Sequence, residues 1–511
     1  MMNIRPTTGA WSVQSRRLAW TLLLSPISLL SGCGNGDSAA PAAFSSGNLI
    51  VSRTVYAGTA STVAKGQTLP GGGVAIADGS FPNVFTNETP DPSFGVSSPI
   101  YLDQLKSDGT LVNITVVDPT MMTSSFASKS ELALNVSSDN SAVTFMGYKA
   151  AINALDVSNS NTAAFVDTTN PVTTTYARAV GQINLASGNL TVTPVNAYSG
   201  NNGRAVILTN GTYYMVGNAG NGSALGPGLS SLSDNTGVQM ISASDTTGVT
   251  KPVGVALGTF GSLTGYQRGF SLSQLPNLAT PAANYADDKT GKDDNFRGMT
   301  VFNNTLYVSK GSGSNGVNTV YQVGAAGAFA NGANLSNAPI AILPGFNALS
   351  EKVAETKATL TATPHPFGLW FANATTLFVA DEGDGVRIGV AGKVTTYAGL
   401  AEYKLVNGVW NLVATFQKGL LDQATYTAGL SWNIQTDGLR NLTGKVNADG
   451  SFTLYATTST VSDETTHDLG ADPNELVSIT VAAASTPATT SFKVLQTASY
   501  GARLGGVTLV P

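Results

Sequence analysis

The sequence predicts an all-β fold, a β-propeller of six blades closed by pairing its first and last strands, and three observations predict it. Charged residues make up only 11% of the 511-residue chain, against roughly 25% in ordinary domains. Gly, Ser, Thr, Asn and Val are abundant while Glu, Lys and Arg are scarce, which disfavours long amphipathic helices and favours short strands joined by turns. A hairpin unit recurs along the chain, and the two ends each supply an incomplete copy of it.

The first 32 residues read as a signal segment. Arg5, Arg16 and Arg17 form a basic start, and Leu18–Leu30 is an apolar run broken by Pro26, too short for a bilayer crossing of ~20 residues and suited to a signal core. The run ends in Leu30-Ser31-Gly32-Cys33, which resembles the lipobox of bacterial lipoproteins. That resemblance implies cleavage before Cys33, lipidation of its thiol and, with Gly34 following, an outer-membrane address. Cys33 is the only cysteine, so no disulfide forms within the chain. Residues 33–46 read as the lipidated Cys and a flexible tether reaching about 20 Å. Residues 47–511 form the propeller.

The repeat is clearest at RGMTVFNNTLYVSKG from Arg297 and FGLWFANATTLFVADEG from Phe367. Each is an apolar strand, a tight Asn-containing turn and a second alternating strand. Copies start at Arg204 and Arg440 and a looser one at Glu131, with Asn210-Gly211 and Asp449-Gly450 as hairpin signals. Further strand pairs at 98–117, 177–197 and 400–416 extend the unit to a four-stranded meander, the blade of a propeller. Gly505–Val510 looks like a first strand with no second, and Asn48–Val55 like a second with no first. Together they make a sixth blade and leave no exposed seam. A seventh could occupy 253–296, and a sandwich or β-helix is the competing architecture. The 367–383 copy resembles the blades of NHL-type and SMP-30/gluconolactonase-like propellers, a resemblance that concerns architecture and not activity.

The blades average about 75 residues, against ~40–45 in compact repeats. The excess lies in 56–97, 149–176, 217–237, 260–296, 343–364, 381–399, 417–438 and 458–475, all mapping to one face, where function is expected. Arg204, Arg297 and Arg440 share one position before the inner strand, with Arg503 and His365 slightly earlier and Glu131 in the Arg position of its blade. These should converge on the channel mouth as a cationic ring able to bind a carboxylate, phosphate or acidic sugar. Alternatively each Arg pairs with a loop acid such as Asp293, Asp294 or Asp437 and fastens blade to blade. Asp381, Glu382 and Asp384 offer oxygen ligands for Ca²⁺, as do Asp463, Glu464, His467, Asp468, Asp472 and Glu475 in the next blade; solvated acidic turns are the alternative.

No Gly-x-Ser-x-Gly, His-Glu-x-x-His or Walker loop occurs, and His365 and His467 are the only histidines. A multi-His metal site is therefore excluded, and His365, between two prolines, is the candidate acid–base group. Net charge is −5 with no Lys/Arg run, which excludes nucleic acid as a partner. Two readings follow. One is a membrane-anchored binding or scaffold propeller for a glycan or protein, with Tyr148, Tyr176, Tyr198 and Tyr500 available for stacking. The other is a hydrolase, lactonase or lyase using His365 or a metal on an anionic substrate.

Overall fold

The structure, a computed structural model, describes residues 42–87, 94–128, 130–220, 234–258, 267–289, 291–467 and 469–511. Residues 1–41, which include the segment expected to be a signal and Cys33, and Asp468 lie outside them. Six four-stranded antiparallel sheets succeed one another in chain order, and the fold is a six-bladed β-propeller.

Blade 1 is the closing blade. Its innermost strand is Ala502–Leu509, followed outward by Leu49–Val55, Ile100–Leu105 and Leu111–Val116. Leu49 pairs with Leu509 and Val55 with Ala502, so the chain ends lock each other. The innermost strands of blades 2 to 6 are Asn135–Val136, Gly203–Thr209, Met299–Phe302, Pro366–Asn373 and Ile434–Val446. Among the described residues, 253–296 contains no seventh blade. It holds only the two-stranded pair Ala256–Leu257 with Gln267–Arg268 and short turns. A propeller closes when blade count and twist agree, so this surplus chain is displaced onto the loop face.

Each of the six gaps between neighbouring blades is filled by its own apolar cluster, and the two-residue period of the strands produces this. In the second strand of blade 3, Tyr213 and Met215 pack toward blade 2, while Tyr214 and Val216 pack toward blade 4. The blade 5–6 gap holds Phe378, Leu400, Leu454 and Ile479; burying one such side chain contributes about 1.5–3 kcal/mol. Inner strands must approach closely at the axis, and glycine permits it. A Cβ on Gly298 would stand 2.0 Å from the Phe367 carbonyl oxygen, so the Arg-Gly pair that opens the blade 4 repeat has a steric cause.

Packed structure starts earlier than the sequence suggests. Phe44, inside the segment assigned to the tether, is buried in the blade 1–2 gap, and its amide donates to Leu185 O at 2.9 Å. The amide of Ser45 donates to Gln104 Oε1 at 2.7 Å. The buried Phe44 ring and these backbone hydrogen bonds fix what composition alone reads as a loose run of small residues.

Candidate functional site

The long loops share one end of the axis, as their positions between second and third strands and between blades require. There they enclose an open cavity of about 560 Å³ lined by Arg297, Arg440, His365, Glu351, Glu382 and Asp384, among others. Hydroxyl and amide groups of Ser312, Ser314, Asn318, Ser459 and Thr460 complete the wall. The sequence-predicted residues thus divide: Arg297, Arg440, His365, Glu382 and Asp384 come together, while Arg204, Arg503 and Asp381 do not line this space.

Arg440 is the cation best placed for a ligand. Its Nε donates to Glu382 Oε2 at 3.1 Å, across the blade 5–6 boundary. Its two Nη groups make no hydrogen bond among the described residues. The partner is Glu382 and not Asp437, which is held instead by Lys393 and by the Gly385 amide at 2.8 Å. Arg297 reaches across the axis, its guanidinium donating to Ser130 of the blade 2 entry and to Ser312 of its own blade. Arg204 is buried beneath the cavity and donates to Asn295 and, at 2.7 Å, to Phe296 O. Burial lowers its pKa well below the usual arginine value, and Arg297 nearby adds to this. Arg503 donates to Ser128 O. The ring expected to be mainly cationic is therefore mixed: three of its arginines, Arg204, Arg297 and Arg503, bond to neighbouring blades, and carboxylates stand among them.

One of those carboxylates organises the axis. Glu131 is 1% exposed, receives the Tyr148 hydroxyl, and accepts from the Ser125 amide at 3.2 Å. Burial pushes its carboxyl up to about 7, against the hydrogen bonds from Tyr148, Ser128 and Ser125 and the charge of Arg503. The adjoining segment receives Arg503, Arg297 and the Asn202 side chain, so the entry to blade 2 is a hub tied to blades 1, 3 and 4.

The carboxylates of the two acidic loops, expected as Ca²⁺ ligands, are engaged in contacts with their own loops and neighbours. Among the described residues no group of three or more His, Cys, Asp or Glu side chains could hold a metal. Asp381 is buried behind the cavity wall and caps backbone amides of His365 at 2.6 Å and Gly383 at 3.0 Å. Burial raises it to about 6, opposed by His365. Glu382 serves Arg440, and Asp384 accepts from Lys393 at 2.8 Å and from the Val394 amide at 2.7 Å. In the next blade Asp463 binds Asn433, Glu464 caps Thr466, and Glu475 receives Gln423 and Thr497. Asp472 receives the Trp432 indole N–H, and the His467 ring lies 4.5 Å from that indole. These are loop-fastening contacts. Likewise Tyr148 and Tyr198 are buried and cannot stack on a ligand, whereas Tyr500 is half exposed.

Sequence reasoning missed Glu351 and Lys310. Glu351 lines the cavity, and neither its carboxylate nor the His365 imidazole makes a side-chain hydrogen bond among the described residues. Lys310 is buried beneath the 312–318 loop and donates to Ser312 O and Gly313 O at 2.9 Å and to Asn318 Oδ1 at 2.8 Å. Three acceptors for three ammonium protons hold the loop that carries Ser312, Ser314 and Asn318. Burial lowers Lys310 to about 7, opposed by Asp293.

Fold and site together define a six-bladed propeller with a polar, charge-mixed cavity at one end of its axis. No protein-family model and no curated protein matches the chain. Solved structures similar to it include a protein of Bacteroides uniformis assigned as a candidate 6-phosphogluconolactonase, 11% identical, covering 88% of this chain and 82% of that one with a TM-score of 0.35. The N-terminal domain of Nup159 is 9% identical over 74% of this chain and 89% of its own, TM-score 0.27. A PL25 ulvan lyase is 8% identical over 86% of this chain and 95% of its own, TM-score 0.29. The assignment of the fold rests on the strand order itself.

Proposed function

We propose that this protein is a membrane-anchored lipoprotein of the bacterial outer membrane that binds a small hydroxylated acid, of sugar-acid type, in the axial cavity. The observation that carries the reading is Arg440, oriented through Nε by Glu382 with its Nη groups unbonded in a cavity of about 560 Å³. That volume suits a small molecule. A guanidinium pre-set in this way offers two parallel donors to a carboxylate, and the surrounding Ser, Thr and Asn groups match ligand hydroxyls. The anchor rests on Cys33 and the sequence around it.

Calorimetric titration with glucuronate and gluconate against neutral glucose tests the ligand class. Saturable binding of an acid, weakened at least tenfold by Arg440→Lys and Arg440→Gln with the melting temperature retained, is expected. Binding of neutral glucose as tight as the acids, or no loss in either variant, overturns it. A second reading is supported by His365 and Glu351, an imidazole and a carboxylate without side-chain partners lining the same cavity. Such groups suit proton transfer on a bound acid or its lactone. Turnover of a sugar lactone, abolished by His365→Ala, would favour that reading over binding alone.

A further inference from the structure

The apolar cluster that fills the blade 3–4 gap stops short at the face opposite the long loops. It is the face of the Asn210-Gly211 turn between the first two strands of blade 3, and of the 324–339 connection between the last two of blade 4. A pocket of about 300 Å³ is left there and shares no residue with the axial cavity. That volume is the lower end of the range for small-molecule sites.

Strand register builds one wall. Tyr214 pairs with Met240 and Met240 with Lys251, so the three form a cross-strand row on the face of blade 3 that looks toward blade 4. Two strand spacings set the Tyr214 and Lys251 Cα atoms about 10 Å apart, with the Met240 side chain between them. The other wall is the turn Ala328–Asn331, whose Phe329 ring lies 5.0 Å from that of Tyr214. The Asn210 side chain donates to Phe329 O at 3.1 Å, and the Gly254 amide to Ser336 O at 3.2 Å. Both bonds cross between the blades, so the width of the pocket is set before any ligand enters.

Its polar groups are incompletely used. Buried tyrosine hydroxyls find partners, as those of Tyr213 and Tyr321 do. Tyr214 is 4% exposed, yet its hydroxyl makes no hydrogen bond among the described residues. The Lys251 ammonium has neither a hydrogen bond nor an ion pair among them. Asp245 accepts from Thr247 N, Thr247 Oγ1 and Gly248 N, all at Oδ1, which leaves Oδ2 open. Those bonds hold its carboxyl below the ordinary value, and the charge of Lys251 adds to this. A cation and an anion that feel each other without pairing leave room for a ligand that carries both charges.

We propose that this pocket binds a free aromatic α-amino acid. The ring enters between Phe329 and Met240, whose π face and thioether suit an aromatic ring. The carboxylate takes Lys251 and the Tyr214 hydroxyl, and the ammonium takes Asp245 Oδ2.

Calorimetric titration with L-phenylalanine tests this, against phenethylamine, hydrocinnamate and L-leucine, which lack in turn the carboxylate, the ammonium and the ring. Saturable binding of phenylalanine is expected, at least tenfold tighter than that of each analogue. Lys251→Gln and Asp245→Asn should each weaken it at least tenfold, and Tyr214→Phe at least threefold, with the melting temperature retained. Arg440→Gln should leave it unchanged, because the axial cavity takes no part. Phenethylamine or hydrocinnamate binding as tightly as phenylalanine overturns recognition of a zwitterion, and leucine doing so overturns the role of the ring. No saturable binding of phenylalanine, or binding indifferent to Lys251→Gln, overturns the site.

Discussion

Replacing Glu131 by Gln isolates the energetics of the hub beneath the cavity. The carboxyl moves from an ordinary 4.5 to about 7 on folding because burial disfavours its charge. The folded chain therefore binds this proton more tightly than the unfolded chain, so its stabilising contribution is full below about 4.5. It is lost as pH rises to about 7, and is constant above that. The shift corresponds to about 3 kcal/mol. The Tyr148 hydroxyl and the Ser125 amide use different carboxylate oxygens, so Gln keeps an acceptor for only one of them, a loss present at every pH, and has no proton to lose. Denaturant unfolding of both proteins at pH 4.5 and pH 8 gives two stability differences. The advantage of Glu131→Gln over the parent should grow by about 3 kcal/mol between them, whatever its value at pH 4.5. Taking the difference cancels the other titrating groups. A difference independent of pH, or one that moves in favour of the parent as pH rises, would refute the account of a carboxylate desolvated on the axis.

Three further outcomes follow from packing. Gly298→Ala forces a Cβ against the Phe367 carbonyl and should cost at least about 1–3 kcal/mol in denaturant unfolding, with Gly211→Ala, where nothing lies within 4 Å but φ is +71°, costing less. Phe44→Ala should lower stability by about 3 kcal/mol and expose the 42–46 segment to protease, as measured by the rate of cleavage there. Lys393→Met leaves the buried Asp437 and the half-buried Asp384 without their shared cation. It should destabilise by about 3–5 kcal/mol and weaken ligand binding through the displaced 382–399 loop, and a melting temperature equal to the parent's would contradict that.

The blades were legible because their information is local. Strand, turn and strand alternate within some twenty residues, as in Met299–Lys310 with its Asn303-Asn304 turn, and period-two burial follows directly from that alternation. The closing blade was legible for a complementary reason: Gly505–Val510 and Asn48–Val55 were each half of a pattern whose whole was known from the other copies. The repeat position of the arginines also carried over, since register along an inner strand fixes height on the axis.

Partnership along the axis was not legible. Arg297 and Ser130 are 167 residues apart, Arg503 and Ser128 are 375, and no sequence period relates them. The same repeat position thus yields a cavity-facing guanidinium at Arg440 and a buried fastening at Arg204. Glu351 escaped notice because it sits in 343–364, a loop with no register to say which way a side chain points. By itself the sequence determined a closed propeller of six or seven blades and the face that carries the loops, because these follow from hydrophobic alternation and chain order. Only the tertiary structure decided which charges meet on that face, because desolvation and hydrogen bonding act between side chains that the chain brings together from different blades.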